Sequence, residues 1–350
     1  MSHPSAERTH APTGADDVTT GVAADDILDV PTSALSDVAI IDPADPNAPH
    51  HDDHQAEHIS TLVKVVNLLA VILPFIGLIA GVVLHAYLGY GWVHVCLLLA
   101  MYALTVLGIT VGFHRLFTHR AFETNRVVKA TLAILGSMAV QGPLIQWVAM
   151  HRRHHQHSDT HDDPHSPHAY GSGLVGVIKG MWHAHMGWLF RPDPAGLARY
   201  AADLYKDRLL RTLSTLFPLW VTIGLLVPAL IGGLITMSWG GALLGFLWGG
   251  LARVFLVHHV TWSINSVCHL WGSRPFRSHD ESRNNVIFGV LAFGEGWHNN
   301  HHAFPTSARH GLFWWQFDLS YLIIRGMEAV GLATNVKVPA AHLLASKQQQ

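Results

Sequence analysis

Four apolar stretches constrain this chain more than any other feature. Residues 65–87, 92–113, 212–235 and 240–264 each supply the roughly 20 residues a helix needs to cross ~30 Å of hydrocarbon. Within lipid a lone segment must satisfy its own backbone hydrogen bonds, so each is read as a helix. Short glycine-containing turns join the first to the second, around Gly89–Gly91, and the third to the fourth, around Gly240–Gly241. The expectation is an all-α integral membrane protein of two helical hairpins, with Pro218 and Pro228 as bends in the third helix. Composition agrees: 49% of residues are hydrophobic and 13% charged, against about 25% charged in an average soluble domain. The net charge of −2 gives no basic surface for nucleic acid. Cys96 and Cys268 lie far apart in apolar stretches and cannot build a cysteine-based zinc or iron–sulfur site.

Charge sets the expected orientation. The hairpin turns at 85–94 and 236–241 hold no Lys or Arg, whereas the other side carries Lys64, Arg115, Arg120, Arg126, Lys129, Arg152, Arg153, Arg191, Arg208, Arg274 and Arg309. The positive-inside rule places that side, and both termini, in the cytoplasm. A fifth apolar stretch, 130–148, is interrupted by Gln141, Gly142, Pro143 and Gln146. A fifth crossing would put the histidines after it on the wrong side, so an interfacial helix is expected there. The division is then a disordered acidic, histidine-containing tail at 1–58, a membrane domain at 59–336 with a cytoplasmic helical cap at 114–211 and 265–336, and a C-terminal tail at 337–350. The N-terminal tail lacks the basic-then-apolar layout of a signal peptide.

The chain has 28 histidines. Three clusters stand out: His114 with His119; His151, His154 and His155; and His298, His301 and His302. The last two share the spacing H-x-x-H-H, which puts three imidazoles on one helical face. The first pair is five apart, a turn of about 500° on an α-helix, so at least one member should lie past a helix end. A lone loop histidine is ordinarily a solvated surface group. Three patterned clusters at the cytoplasmic ends of membrane segments point instead to a metal centre, and eight imidazoles suit two ions better than one. Imidazole suits Zn, Cu, Fe and Ni, so ligand type alone does not choose the metal. His157, His161, His165, His168, His183, His185 and His310 are read as outer or surface groups, with Asp159, Asp162 and Glu295 as candidates to fix ligand tautomers.

These clusters, with the runs LGITVGFHRL at 107–116, THDDPH at 160–165, NSVCH at 265–269 and GEGWHNNHHAFP at 294–305, resemble the membrane fatty-acid desaturases, most closely the delta-9 acyl-CoA (stearoyl-type) members in a bacterial-like form. The likeness covers roughly 60–335. It implies the eight cluster histidines as metal ligands, His269 as a ninth, and Asn265 reaching one metal through water. It implies two iron ions, O2 as co-substrate and a cis double bond placed in an acyl chain lying in an apolar tunnel. Thr261 and Trp262 match residues lining the bend, Trp147 is retained, and Arg253 matches a structural residue. Tyr102, twelve residues before His114 and so about 18 Å along a helix, is a candidate for the tunnel's far end, with a packed tyrosine as the alternative.

The carrier stays open. Residues 142–150 hold no charge where relatives use basic groups for coenzyme A, although Arg152, Arg153, Lys179 and Arg191 could bind phosphates. Acyl-CoA is the first choice, with lipid-linked or carrier-protein chains behind it. No fused electron-transfer segment is seen, so a separate ferredoxin, rubredoxin, cytochrome b5 or flavin reductase is expected as donor, with the enzyme in a bacterial inner membrane. Two rivals remain: a fatty-acyl or alkane hydroxylase on the same scaffold, and a metal transporter or sensor. Transport sites normally lie near the membrane midplane, whereas these histidines gather at one end.

Overall fold

The structure, a computed structural model, describes residues 59–349 except 89, 90 and 195. The expected 1–58 tail lies outside the described residues. Among the described residues, four helices are long and apolar enough to cross a membrane: α1 (Thr61–Leu88), α2 (Trp92–Thr118), α7 (Phe217–Thr236) and α8 (Trp239–His269). Between the hairpins run α3 (Arg126–Ser137), α4 (Leu144–His157), α5 (Leu174–His185) and α6 (Arg208–Thr215). After α8 come α9 (Val286–Leu291), α10 (His298–Ala303), α11 (Leu319–Ala329) and α12 (Ala341–Lys347). A two-residue antiparallel pair, Glu123–Thr124 with Ala333–Thr334, ties the exit of α2 to the end of α11.

The apolar helices pack through small residues and leave large ones outward, as expected where lipid is the solvent. On α1, Gly77 and Gly81 face Leu251, Leu247 and Trp248 of α8, while Val65, Leu69, Ile72 and Ile76 are exposed. Gly108 of α2 lies against Gly136 of α3, where a Cβ would fall 2.2 Å from the Gly136 nitrogen. The stretch 130–148 does not cross. It forms α3 and the start of α4, and α3 is not a surface helix: Leu132, Ala133 and Gly136 are buried against α2.

Arg253 finds three backbone acceptors in the middle of α8. Its guanidinium donates to the carbonyls of Gly249 (3.2 Å), Met138 (2.5 Å) and Gly224 (2.9 Å). Two are orphans by construction. Met138 caps the C-terminus of α3. Gly224 is four residues before Pro228, which lies within α7 and has no N–H to return. A fully buried charge in this segment is therefore repaid by closing gaps in two other helices.

The segment 341–347, within the expected C-terminal tail, is a helix docked below the third histidine cluster. Lys347 Nζ donates to the Ala303 carbonyl (2.6 Å), and Phe276 pairs with Gln348.

Candidate metal centre

The second half of α2 delivers the first histidine pair by changing its winding. From Gly108 to Thr118 the helix is π. Its i→i+5 bonding sets residues five apart over one another, and the His119 N–H bonds the His114 carbonyl (3.1 Å). His119 is the residue just past the helix end, as its spacing requires, and the two rings stand 4.7 Å apart. The α-helical divergence expected from the spacing is cancelled by a π turn that residue counting did not show.

α4 and α10 each carry an H-x-x-H-H triplet, but neither triplet serves one point in space. The nine histidines divide into two groups. His114, His119, His151, His155 and His301 bring one nitrogen each within 4.8 Å of one another, and His154, His269, His298 and His302 do the same. Thus α4 gives two imidazoles to the first group and one to the second, and α10 gives one and two. Asn265 is half-buried on α8, one turn before His269.

The nitrogen positions fit metal ions. Nε2 atoms meet at 3.0 Å (His114–His301), 3.1 Å (His155–His151), 2.9 Å (His301–His155) and 3.0 Å (His269–His298). Two nitrogens held at ~2.1 Å and right angles by one ion stand roughly 3 Å apart. The Nε2 atoms of His119, His154 and His302 are buried without a partner, which is costly unless something binds them. Burial, then neighbouring imidazoles, holds His119, His151, His155, His298 and His301 well below the ordinary imidazole range. They are neutral at pH 7, the form that coordinates a metal.

Four carboxylates hold the far side of these rings. His114 Nδ1 lies 2.5 Å from Glu295, His269 Nδ1 2.8 Å from Asp159 and His154 Nδ1 3.0 Å from Asp163, while His302 Nδ1 bonds Asp280. Each pairing fixes the tautomer and points Nε2 into the cluster. Burial alone would push Glu295 up. His114, His310 and Arg115 outweigh it and hold the carboxyl well below its usual range. The same competition leaves Asp159 at about 2, with His269 as its main partner. Asp163, on its Nδ1 side, raises His154 against its burial, and the His154 Nε2 has no hydrogen-bond partner.

Of the three carboxylates expected from sequence, Asp159 and Glu295 take this role. Asp162 does not: its side chain is half exposed, near His161. Its neighbour Asp163 is the buried one, and adjacency in sequence could not separate them. Asp280 sits in a loop with no spacing to flag it. Asp163→Asn should therefore lower metal content and activity by ~10–100-fold, while Asp162→Asn leaves both near wild type, measured by metal analysis of the purified protein and product assay. Among the other histidines, His165 packs against His154 and His310 against His301, with ring centroids 4.6 and 4.4 Å apart. His161 is solvent-exposed.

Trp147 and Thr261, two of the residues matched to the acyl site, are linked beside the first group. Trp147 stacks on His151 at 5.0 Å and donates to Gln141 Oε1 (3.3 Å), while Gln141 Nε2 donates to Thr261 Oγ1 (2.5 Å). Trp262 is buried and stacks on His258. Gln141 was visible in sequence only as a polar interruption. Val140 and Gly142 on either side have φ of +61° and +98°. Such a value is unusual for a β-branched residue, and His258, bonded to the Val140 carbonyl (2.8 Å), helps hold the turn.

The three other expected substrate residues, Arg152, Arg153 and Tyr102, all make contacts within the fold. Arg152 is not free for a phosphate: it donates to the carbonyls of Phe117 and Thr118, closing the end of α2, and pairs with Asp203 (2.6 Å). Arg153 donates to the Asp162 carbonyl (3.2 Å). Tyr102 donates to the Leu291 carbonyl (2.8 Å) and meets Phe293 edge-on. Tyr102→Phe is expected to lower stability and leave acyl chain-length preference unchanged; a shifted product profile would support the tunnel-end reading.

The sequence matches the fatty acid desaturase family model over residues 90–327. The chain belongs to that family. Among curated relatives, the chain is 44% identical over 283 residues to hex-5-enoyl-(acyl-carrier protein) acetylenase of Moorena producens (strain JHB), covering 80% of this chain and 88% of that one. It is 41% identical over 270 residues to the sn-1 stearoyl-lipid 9-desaturase of Anabaena variabilis, covering 75% and 92%. It is 40% identical over 271 residues to the acyl-CoA C20 Delta5-desaturase of Anemone leveillei, covering 76% and 81%. Lipid, carrier protein and coenzyme A all occur as carriers among these names.

Proposed function

We propose that this desaturase inserts a cis double bond, at the delta-9 position, into a saturated fatty acyl chain, using two irons held by the nine histidines. The observation that carries the reading is the five-plus-four division of buried imidazoles beside the Trp147–Gln141–Thr261 chain. The reaction takes two hydrogens from adjacent methylenes, with O2, two electrons and two protons, and yields an alkene and two waters. When bound, the irons supply the O2 chemistry that an unactivated C–H bond demands and acid–base groups cannot. The protein's share is positioning and exclusion of water. Glu295, Asp159, Asp163 and Asp280 hold four imidazoles in place. Trp147 and Trp262 wall the site with apolar surface, and Gln141 bridges α8 to α4 at the bend. Asn265 is assigned to the second metal through water, and electrons come from a separate donor protein.

The positive-inside rule supports a site on the cytoplasmic face, and a bacterial inner membrane is the proposed location. Acyl-CoA stays a candidate carrier, but with Arg152 occupied by backbone and Asp203, the case for lipid-linked or carrier-protein chains is stronger than the sequence made it. A second reading, acetylenic-bond formation from an existing alkene, is favoured by the 44% identity to an acetylenase. Expression in a desaturase-deficient host, with double-bond location in the recovered fatty acids, separates these outcomes. Delta-9 alkenes support the proposal, alkynes the second reading, and alcohols the hydroxylase.

A further inference from the structure

We infer that the cap does not stand clear of the membrane: α5 and α9 embed their outward faces among the acyl chains of the adjoining leaflet. α9 packs inward through Phe288, against Val260, Ile264 and Cys268 of α8. Its other side shows Ile287 at 65%, Val290 at 48% and Leu291 at 43% exposure. α5 is turned the same way. Val175, Ile178 and Trp182 form one exposed stripe of the helix, while Gly180, His183 and Ala184 are buried. Lys179 lies at the rim of the stripe, where its stem can run along apolar surface and its ammonium reach a phosphate.

The depth of both helices follows from what they bond. The end of α9 reaches Tyr102 on α2, twelve residues before His114. The turn after α5 reaches α1, where Asn67 Nδ2 donates to the Leu189 carbonyl (2.6 Å) six residues inside the start of that helix. These anchors lie within the apolar helices and so continue their lipid-facing belt.

The backbone of 288–293 is finished as a lipid environment requires. The carbonyls of Phe288, Gly289 and Val290 accept from the N–H groups of Ala292, Gly294 and Phe293. Those of Ala292 and Phe293 accept from Glu295 and Ser320. That leaves the Leu291 carbonyl, and the Tyr102 hydroxyl takes it. A helix end in water needs no such closure, because water serves its last carbonyls; in hydrocarbon each open carbonyl is costly.

The test places the photo-cross-linker p-benzoylphenylalanine at position 287, 178 or, as a solvent control, at the exposed Arg325 of α11. The full chain is reconstituted in phosphatidylethanolamine–phosphatidylglycerol vesicles and adducts are identified by mass spectrometry. Lipid adducts at 287 and 178 several-fold above those at 325 are expected. Adducts no more frequent than at 325, or cross-links to a second copy of the chain, overturn the inference. A measurement on the unlabelled chain guards against misfolded variants. Vesicles with dibrominated acyl chains should quench Trp182, seen as a loss of quenching in Trp182→Phe; equal quenching in the two proteins also overturns it.

Discussion

His301→Ala and His302→Ala are each expected to abolish desaturated product, yet to damage different halves of the centre. His301 belongs to the five-histidine group and His302, the next residue, to the four-histidine group. If both groups bind metal, either change should lower tightly held metal by about half rather than to zero. The loss of product should exceed the ~10–100-fold cost of an outer carboxylate, because a ligand itself is gone. Metal analysis of purified protein, alongside fatty-acid analysis of the host, reads both effects. The variants should still insert in the membrane and elute as folded protein, since α10 is packed by Asn299 and Asn300 as well: Asn299 exchanges bonds with the Phe276 backbone, and Asn300 bonds Gln316 and the His310 carbonyl. A single shared metal position would lose all its metal in both variants, and that result would sink the two-site reading.

Much of this architecture was legible before any coordinates, for a physical reason. Spanning lengths, charge-free hairpin turns and H-x-x-H-H spacing are local, and helices turn local spacing into position. The unread parts depend on contacts between distant segments or on a change of helical winding. The place of His119 past the helix end was deducible from its spacing, but the π turn at 108–118 that brings its ring to His114 was not. The division of each triplet between two groups depends on how α4 and α10 face one another. Asp163 and Asp280 are distinguished from Asp162 only by burial. Arg152 read as a phosphate group because it was charged and near the site; its role at the end of α2 depends on carbonyls 34 and 35 residues away. His269, invisible to periodicity, entered through family resemblance, and the structure places it with His298.

Arg253 offers the second large effect, and Pro228 is the control that explains it. Arg253→Met keeps much of the side chain's length but removes the donors to Gly249, Met138 and Gly224. An acceptor left unpaired in a buried site costs roughly 1–3 kcal/mol. Hydrogen bonds within membrane proteins average nearer 0.6 kcal/mol, but these come from a cation and are stronger than neutral ones. Some of the loss is offset, because no charge then needs burying. A net destabilisation of about 2–4 kcal/mol is expected, read by denaturant titration in detergent. The Gly224 share can be isolated. Pro228→Ala restores an N–H four residues along α7, so the helix can satisfy Gly224 itself. In that background Arg253→Met should cost about 1 kcal/mol less than in the native chain. Equal costs in the two backgrounds would show that the proline-freed carbonyl is not what Arg253 serves, leaving the cap on α3 at Met138 as its main task.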